Sequence, residues 1–305
     1  MIYDQAPSPI EKLEDPLFSE KKVEIFVKRD DLLLPEIMGN KWRKLKYNLQ
    51  RAREEEKSIL VTYGGAFSNH ISAVAAAGKI FGFQTIGIIR GHELSPESNA
   101  TLRKARADGM KLVFVDRSKF TDYKTYLTAP FALSRDHYVL PEGGTNELAI
   151  KGAEEILSEQ PAGMFDIVCT SIGTGGTFCG IAKRILPEQK LLGISALKGK
   201  WIEKDIADKL AIFNVQKLNY IVAEDRFFGG YGKYNEELIQ FILYFRQNFG
   251  ILLDPVYTGK LFFSVWDKIK RCQFRAGSKI LLIHTGGLQG IEGFNERHRL
   301  NLPTL

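Results

Sequence analysis

From about residue 58 onward, short aliphatic and β-branched runs alternate with stretches whose apolar positions recur every three or four residues. The runs predict strands at 58–63, 85–89, 111–115, 138–140, 166–170, 190–194, 218–222 and 279–284. The stretches between them predict helices at 69–81, 98–107, 147–159, 177–185, 236–248 and 260–271. Alternation of this kind predicts an α/β fold in which parallel sheet is covered by helices on both faces. No flexible linker interrupts the pattern, so the two halves of the chain are expected to interdigitate.

One amphipathic segment precedes the alternation. Leu45, Leu49 and Ala52 share a face, and Asn40 reads as an N-cap, which places Lys41 in the first turn. The charges of this helix run the unfavourable way. Lys41, Arg43 and Lys44 crowd its positive start, while Glu54, Glu55 and Glu56 crowd its negative end. A solvated basic face is the plain account. The chemical one is that an amine at a positive helix end, beside other cations, loses its proton more easily, as a Schiff-base lysine must.

A chain of 305 residues is long enough for one large unit or two closely packed ones. Hydrophobic content of 44% with 26% charged residues is that of an ordinary globular protein, so neither disorder nor a membrane protein is expected. The net charge of +6 is spread among interleaved lysines and glutamates without a basic, aromatic-laced stripe, which removes nucleic acid from the expected partners. Cys169, Cys179 and Cys272 are odd in number and lack metal-ligand spacing, which predicts a reduced, cytoplasmic protein with no metal site. The N-terminal residues lack the basic and apolar regions of a secretion signal, and no apolar run is long enough to span a bilayer.

Ligands of such α/β folds bind beyond the carboxyl ends of strands, in loops that need glycine. Four loops qualify: 64–69, 143–146, 173–177 and 285–287. Gly173, Thr174, Gly175, Gly176 and Thr177 follow an apolar strand and open a helix, so their backbone N–H groups could cradle a phosphate. The alternative is a tight turn that needs glycine for geometry alone. Phe178 occupies the position where a dinucleotide fingerprint needs glycine, and no Gly-Lys-Ser/Thr follows, which leaves a monophosphate. Ser68, Asn69 and His70 lie where a glycine turn meets a helix; they either cap it or hold a substrate carboxylate and a ring. A histidine so placed is commonly just hydrogen-bonded. Tyr257 could pass for a core aromatic, whereas Tyr231, set among Gly229, Gly230 and Gly232, has little packing support from its own flanks.

These motifs, in this order across nearly the whole chain, resemble the pyridoxal-phosphate enzymes of the tryptophan-synthase-β fold, fold type II. Within them the chain is similar to the D-cysteine desulfhydrase and 1-aminocyclopropane-1-carboxylate deaminase family. The resemblance implies pyridoxal 5'-phosphate as cofactor, a small amino acid as substrate and a homodimer. It implies a larger domain, 1–53 plus 153–305, a smaller one, 54–152, inserted in it, and an active site between them. By the same resemblance Lys41 carries the cofactor and moves the Cα proton, and Gly173, Thr174, Gly175, Gly176 and Thr177 hold its phosphate. Asn69 contacts the ring hydroxyl, while Ser68 with the neighbouring Asn69 and His70 takes the substrate carboxylate. Tyr231 and Tyr257 line the reacting face, with Tyr257 against the ring.

Two positions bear on the reaction. Deaminases of this family carry Glu after the tyrosine of Pro-Val-Tyr and Leu before the final Gly-Gly; here Thr258 and Thr285 stand there, as in the desulfhydrases. A carboxylate at the pyridine nitrogen makes the ring a strong electron sink, and a hydroxyl makes it a weaker one. Opening a carbon ring benefits from the stronger sink, whereas a thiolate leaves readily. The expectation is β-elimination from D-cysteine to pyruvate, sulfide and ammonia. Ring-opening deamination to 2-oxobutanoate, elimination from a sulfonated or chlorinated alanine, and a non-catalytic pyridoxal-phosphate-binding protein are the alternatives.

Overall fold

A computed structural model describes residues 6–215, 219–223 and 228–305. Its strands are β1 (Ile10–Leu13), β2 (Glu24–Lys28), β3 (Ile59–Gly64), β4 (Gln84–Arg90), β5 (Lys111–Val115), β6 (His137–Val139), β7 (Ile167–Ile172), β8 (Lys190–Ser195), β9 (Tyr220–Ala223) and β10 (Lys279–Ile283). Its α-helices are α1 (Pro16–Lys21), α2 (Asn40–Glu54), α3 (Asn69–Phe81), α4 (Ala100–Ala107), α5 (Arg117–Tyr126), α6 (Glu147–Ser158), α7 (Gly176–Ala182), α8 (Trp201–Ile212), α9 (Glu236–Phe249), α10 (Thr258–Lys270) and α11 (Gly290–His298). Each strand and helix expected from residue 58 onward is present as its type, with ends shifted by a few residues. Residue 218 of the expected strand at 218–222 lies outside the described residues.

The strands form two sheets, ordered β1-β2-β10-β7-β8-β9 and β5-β4-β3-β6. Among the described residues only the β1–β2 pairing is antiparallel. Parallel strands need cover on both faces, and β10 shows why its sequence is an unbroken apolar run. Ile280 and Leu282 enter one core cluster, while Leu281 and Ile283 enter another on the opposite face. The smaller sheet draws only on residues within 59–139. Its cover includes α3, where Ala73, Ala75, Ala76 and Ala77 let the helix sit close to the strands. Ser68 caps the start of α3 and Gly82, at φ +76°, closes its end.

Helix α2 belongs to both halves. Leu45, Leu49 and Ala52 join the core under the smaller sheet, each leucine gaining about 2 kcal/mol from burial. The opposite flank lies on α6, where a Cβ at Gly152 would stand 1.8 Å from the Arg43 carbonyl oxygen. The expected junction at 152/153 therefore falls inside a helix, at the point of its closest packing. Cys169, Cys179 and Cys272 are free thiols. Among the described residues no helix is long and apolar enough to cross a membrane.

Candidate active site

Helix α2 starts one residue earlier than its sequence predicts. Gly39 is the N-cap, with φ +60° and ψ −138°, and Asn40 is the first helical residue. A Cβ at Gly39 would lie 2.2 Å from the Thr285 carbonyl oxygen, so only glycine lets the helix press against the end of β10. The Asn40 N–H donates to that same carbonyl at 3.2 Å. Its side chain does not cap; Oδ1 accepts from Lys41 Nζ at 2.8 Å and Nδ2 donates to Thr177 Oγ1 at 2.9 Å.

The three cations of the first turns separate. Arg43 turns to buried Asp30, Nε to Oδ2 at 2.8 Å, and to Glu159 at 2.6 Å. Lys41 and Lys44, neighbours on one helix face, are left toward the glycine loops. Although Lys41 is partly exposed as a residue, its amine is enclosed, and loss of water pushes it down to about 8 against the opposing charge of Asp254. Burial, and then the Lys41 charge, holds Lys44 well below the usual lysine range. The sequence-based expectation of an easily deprotonated Lys41 rested on the helix end and neighbouring cations; desolvation is the larger cause.

Lys44 Nζ donates to the Gly143 carbonyl and to Thr145 Oγ1, the latter at 3.0 Å. The Thr145 and Thr174 hydroxyls lie 2.8 Å apart. Glycine keeps this place open: a Cβ on Gly176 would come within 2.8 Å of Thr145 Oγ1 and 2.9 Å of Lys44 Nζ. Gly175 sits at φ +81°, where the chain turns into α7. Neither Lys41 nor Lys44 has a carboxylate within ion-pair distance among the described residues. Enclosed cations without a counter-ion are costly, and the donors around them are amines, hydroxyls and loop N–H groups. A phosphate dianion supplies the missing charge and accepts from all of them. The residues present thus fit a phosphorylated cofactor.

On the smaller sheet, Ser68 Oγ accepts from the Ile71 N–H at 3.3 Å, so it caps α3 while its own proton stays available to a ligand. The Asn69 amide rests where Gly287 and Gly290 have no side chains; Cβ atoms there would each lie 2.9 Å from it. His70 is a hydrogen-bonded core histidine, 2% exposed, and is not among the residues that line the pocket beside Asn69. Thr62 donates its hydroxyl proton to the Leu140 carbonyl at 3.2 Å, so its oxygen accepts from His70 Nε2 at 2.9 Å. Nδ1 is then a bare acceptor, and it has no partner among the described residues. Burial and the two lysines keep the ring neutral. A neutral acceptor nitrogen does not bind a carboxylate, so any part His70 takes in holding one falls to its backbone N–H.

Tyr257 is the N-cap of α10, and Asp254 organises the turn. Asp254 Oδ2 accepts from the N–H groups of Val256 and Tyr257 at 2.9 and 3.0 Å. Its Oδ1 accepts from the Thr258 N–H at 2.8 Å and the Thr258 hydroxyl at 2.7 Å. Thr258 Oγ1 also accepts from the Asp254 N–H at 2.8 Å, so its proton is already committed and is not offered to a ring nitrogen. Among the described residues Thr285 Oγ1 makes only a 3.5 Å contact with Ser171 Oγ, which leaves that hydroxyl the freer donor.

The Tyr257 ring reaches Gly173, where a Cβ would come within 3.0 Å of it. Tyr231 meets it edge-to-face, centroids 6.0 Å apart and planes at 68°. Burial holds Tyr257 well above the usual phenol range and also raises Tyr231, whose hydroxyl end is enclosed although the residue is 47% exposed. Both keep their protons at neutral pH. These rings, Phe67, Asn69, Asp254 and Phe294 line a pocket of about 460 Å³, counting the space open to solvent. Tyr257 is the wall it shares with the 173–177 loop. Asn40, Lys44, Thr145 and Asp254 belong to this constellation, yet none was singled out as a ligand from sequence. The usable signals were the misplaced charge of Lys44 and an acidic residue ahead of a helix at Asp254.

The family model described as "Pyridoxal-phosphate dependent enzyme" matches residues 3–286. Among solved structures, an ACC deaminase homologue is similar with 26% identity and a TM-score of 0.78, over 96% of this chain and 93% of that one. A fungal L-serine ammonia-lyase from Rhizomucor miehei, 13% identical, has a TM-score of 0.69 over 96% of this chain and 98% of its own. A hydrogen sulfide-producing enzyme from Fusobacterium nucleatum, 18% identical, has a TM-score of 0.65 over 92% and 96%. The last two likenesses are ones of fold.

Proposed function

The chain belongs to the family of pyridoxal-phosphate-dependent enzymes, and from that premise we propose that it is a β-eliminating lyase which converts D-cysteine and water to pyruvate, hydrogen sulfide and ammonia. Pyridoxal 5'-phosphate, when bound, draws electrons from the Cα of an attached amino acid, which makes its proton removable. Lys44, Thr145, Thr174, Thr177 and the N–H groups of Gly175 and Gly176 hold the phosphate end. Asn69 would take the ring hydroxyl, Tyr257 would pack on the ring, and Thr285 would donate to its nitrogen. Ser68 and the N–H groups of Asn69 and His70 hold the substrate carboxylate. Lys41 would hold the cofactor through its amine, and the same amine, lowered to about 8, would take the Cα proton. The Tyr231–Tyr257 pair stands over the reacting face and donates a proton to the departing sulfur.

One observation supports elimination in particular. Asp254 is the only carboxylate among the described residues lining the pocket, and its oxygens are occupied by three N–H groups and the Thr258 hydroxyl. The ring nitrogen is left with a hydroxyl, the weaker sink that suffices for a thiolate leaving group. The likeness to an ACC deaminase homologue favours a second reading, ring-opening of 1-aminocyclopropane-1-carboxylate to 2-oxobutanoate and ammonia. A cytoplasmic homodimer with domains 54–152 and the remainder is part of the same proposal.

The test is product analysis of cofactor-loaded protein offered D-cysteine, L-cysteine and 1-aminocyclopropane-1-carboxylate in parallel, with Lys41→Ala as control. Pyruvate with sulfide from D-cysteine, lost in the variant, is the expected result. Formation of 2-oxobutanoate instead selects the second reading, and undiminished turnover by Lys41→Ala refutes both.

A further inference from the structure

The first turn of α10 repeats the anomaly of α2. Lys260 is its third residue, at the helix end that favours anions, and it is only 1% exposed. As with Lys41, burial pushes the amine down to about 8, partly opposed by Asp254. An enclosed ammonium is tolerated where strong hydrogen bonds replace its water, and each partner it holds is thereby fixed in place. Nζ donates to the Gly230 carbonyl at 2.7 Å.

Gly230 is the residue before Tyr231. The glycines around that tyrosine, Gly229, Gly230 and Gly232, have φ values of +88°, +113° and +65°. Such a backbone has little conformational preference of its own, and a residue 47% exposed is not held by packing. Yet the Tyr231 ring stands edge-to-face against Tyr257, so the loop must be fixed from outside. Tyr257 and Lys260 lie three residues apart at the start of α10. A single rigid turn therefore carries both the ring that Tyr231 pairs with and the amine that grips the peptide just ahead of Tyr231.

We propose that Lys260 is a positioning residue, which anchors the 229–232 loop from beneath and so sets Tyr231 against Tyr257 over the reacting face. This rests on the role given above to the two tyrosines. Lys260 itself touches neither substrate nor cofactor. Its contribution is to place a proton donor that the loop alone would leave mobile.

Two measurements on the cofactor-loaded enzyme test it. In Lys260→Met, amide hydrogen exchange across 228–233 is expected to accelerate about tenfold or more, while exchange in β7 and β10 stays as in the parent. In a double-mutant cycle, Lys260→Met lowers kcat about tenfold, but costs less than about twofold when added to Tyr231→Phe. Unchanged loop exchange, or an equal loss of kcat in both backgrounds, overturns the proposal. If Lys260→Met fails to fold, Lys260→Gln, too short to reach Gly230 but better suited to a polar niche, is judged by the same criteria. Full activity in Tyr231→Phe would overturn the role of Tyr231 and this proposal with it. A loss in Tyr231→Phe without one in Lys260→Met overturns this proposal alone.

Discussion

Cofactor-free protein allows the Lys41 amine to be titrated by its own chemistry. The neutral amine is the form that attacks an aldehyde, so capture of pyridoxal phosphate accelerates as pH rises through the amine's pKa and levels off above it. With that value at about 8, about one tenth of Lys41 is neutral at pH 7, against roughly one part in three thousand at the ordinary 10.5. The reactive fraction is thus larger by about 300-fold, and the midpoint of the rate profile should fall near 8 rather than beyond 10. Stopped-flow absorbance of the yellow product gives the rate, and the same reaction with Nα-acetyl-lysine removes the pH dependence of the aldehyde itself. Asp254→Asn keeps an oxygen for the N–H groups of the turn but removes the charge that props the amine up. Its midpoint should therefore move lower still. A wild-type midpoint at 10 or above, or an upward shift in Asp254→Asn, would refute the reasoning.

Lys44→Met removes a charge-assisted donor worth about 1.5–3 kcal/mol, so cofactor affinity by equilibrium titration should fall about 10- to 150-fold; an unchanged Kd would take Lys44 out of the phosphate site. Gly152→Ala places a methyl 1.8 Å from the Arg43 carbonyl oxygen and forces α6 off α2. Urea unfolding should show a loss of about 1–3 kcal/mol or more, and unaltered stability would mean that the two helices are not so close.

The alternation from residue 58 was legible because strands buried on both faces have no polar side to obscure them. The first two strands were not. β2 reads Glu-Ile-Phe-Val-Lys, and its Lys28 is buried because the Ser8 carbonyl and Glu159, far along the chain, meet it at 2.9 and 2.7 Å. A partner that distant leaves no local signature. The same holds for Lys44, whose acceptors come from the 143–145 and 173–177 loops. Lys41 stood out because its charge contradicts its helix end, a conflict visible without any fold. Lys260 shares that conflict, but the strand–helix pattern placed it as an ordinary first residue of a helix. The helix in fact begins at Thr258, because Asp254 gathers the N–H groups ahead of it. The start of α2 was misplaced for the opposite reason: Asn40 has a capping side chain, but Gly39 has the backbone freedom that contact with Thr285 demands.

The position of α2 gives the site a mechanical character. Its body is bedded in the core of the smaller sheet, while its first residue is pressed against the end of β10 in the larger one. It acts as a crossbeam, and Gly39 is the joint at which it bears. Ser68 and Asn69 ride on one frame, and the 173–177 loop and Tyr257 ride on the other. Should the frames rock together around a bound amino acid, the beam would travel with the smaller sheet and pivot at its bearing on the larger one. Lys41, two residues from that bearing, is where the displacement is least. The amine proposed to take the Cα proton thus sits beside the bearing, between the two frames that carry the rest of the site.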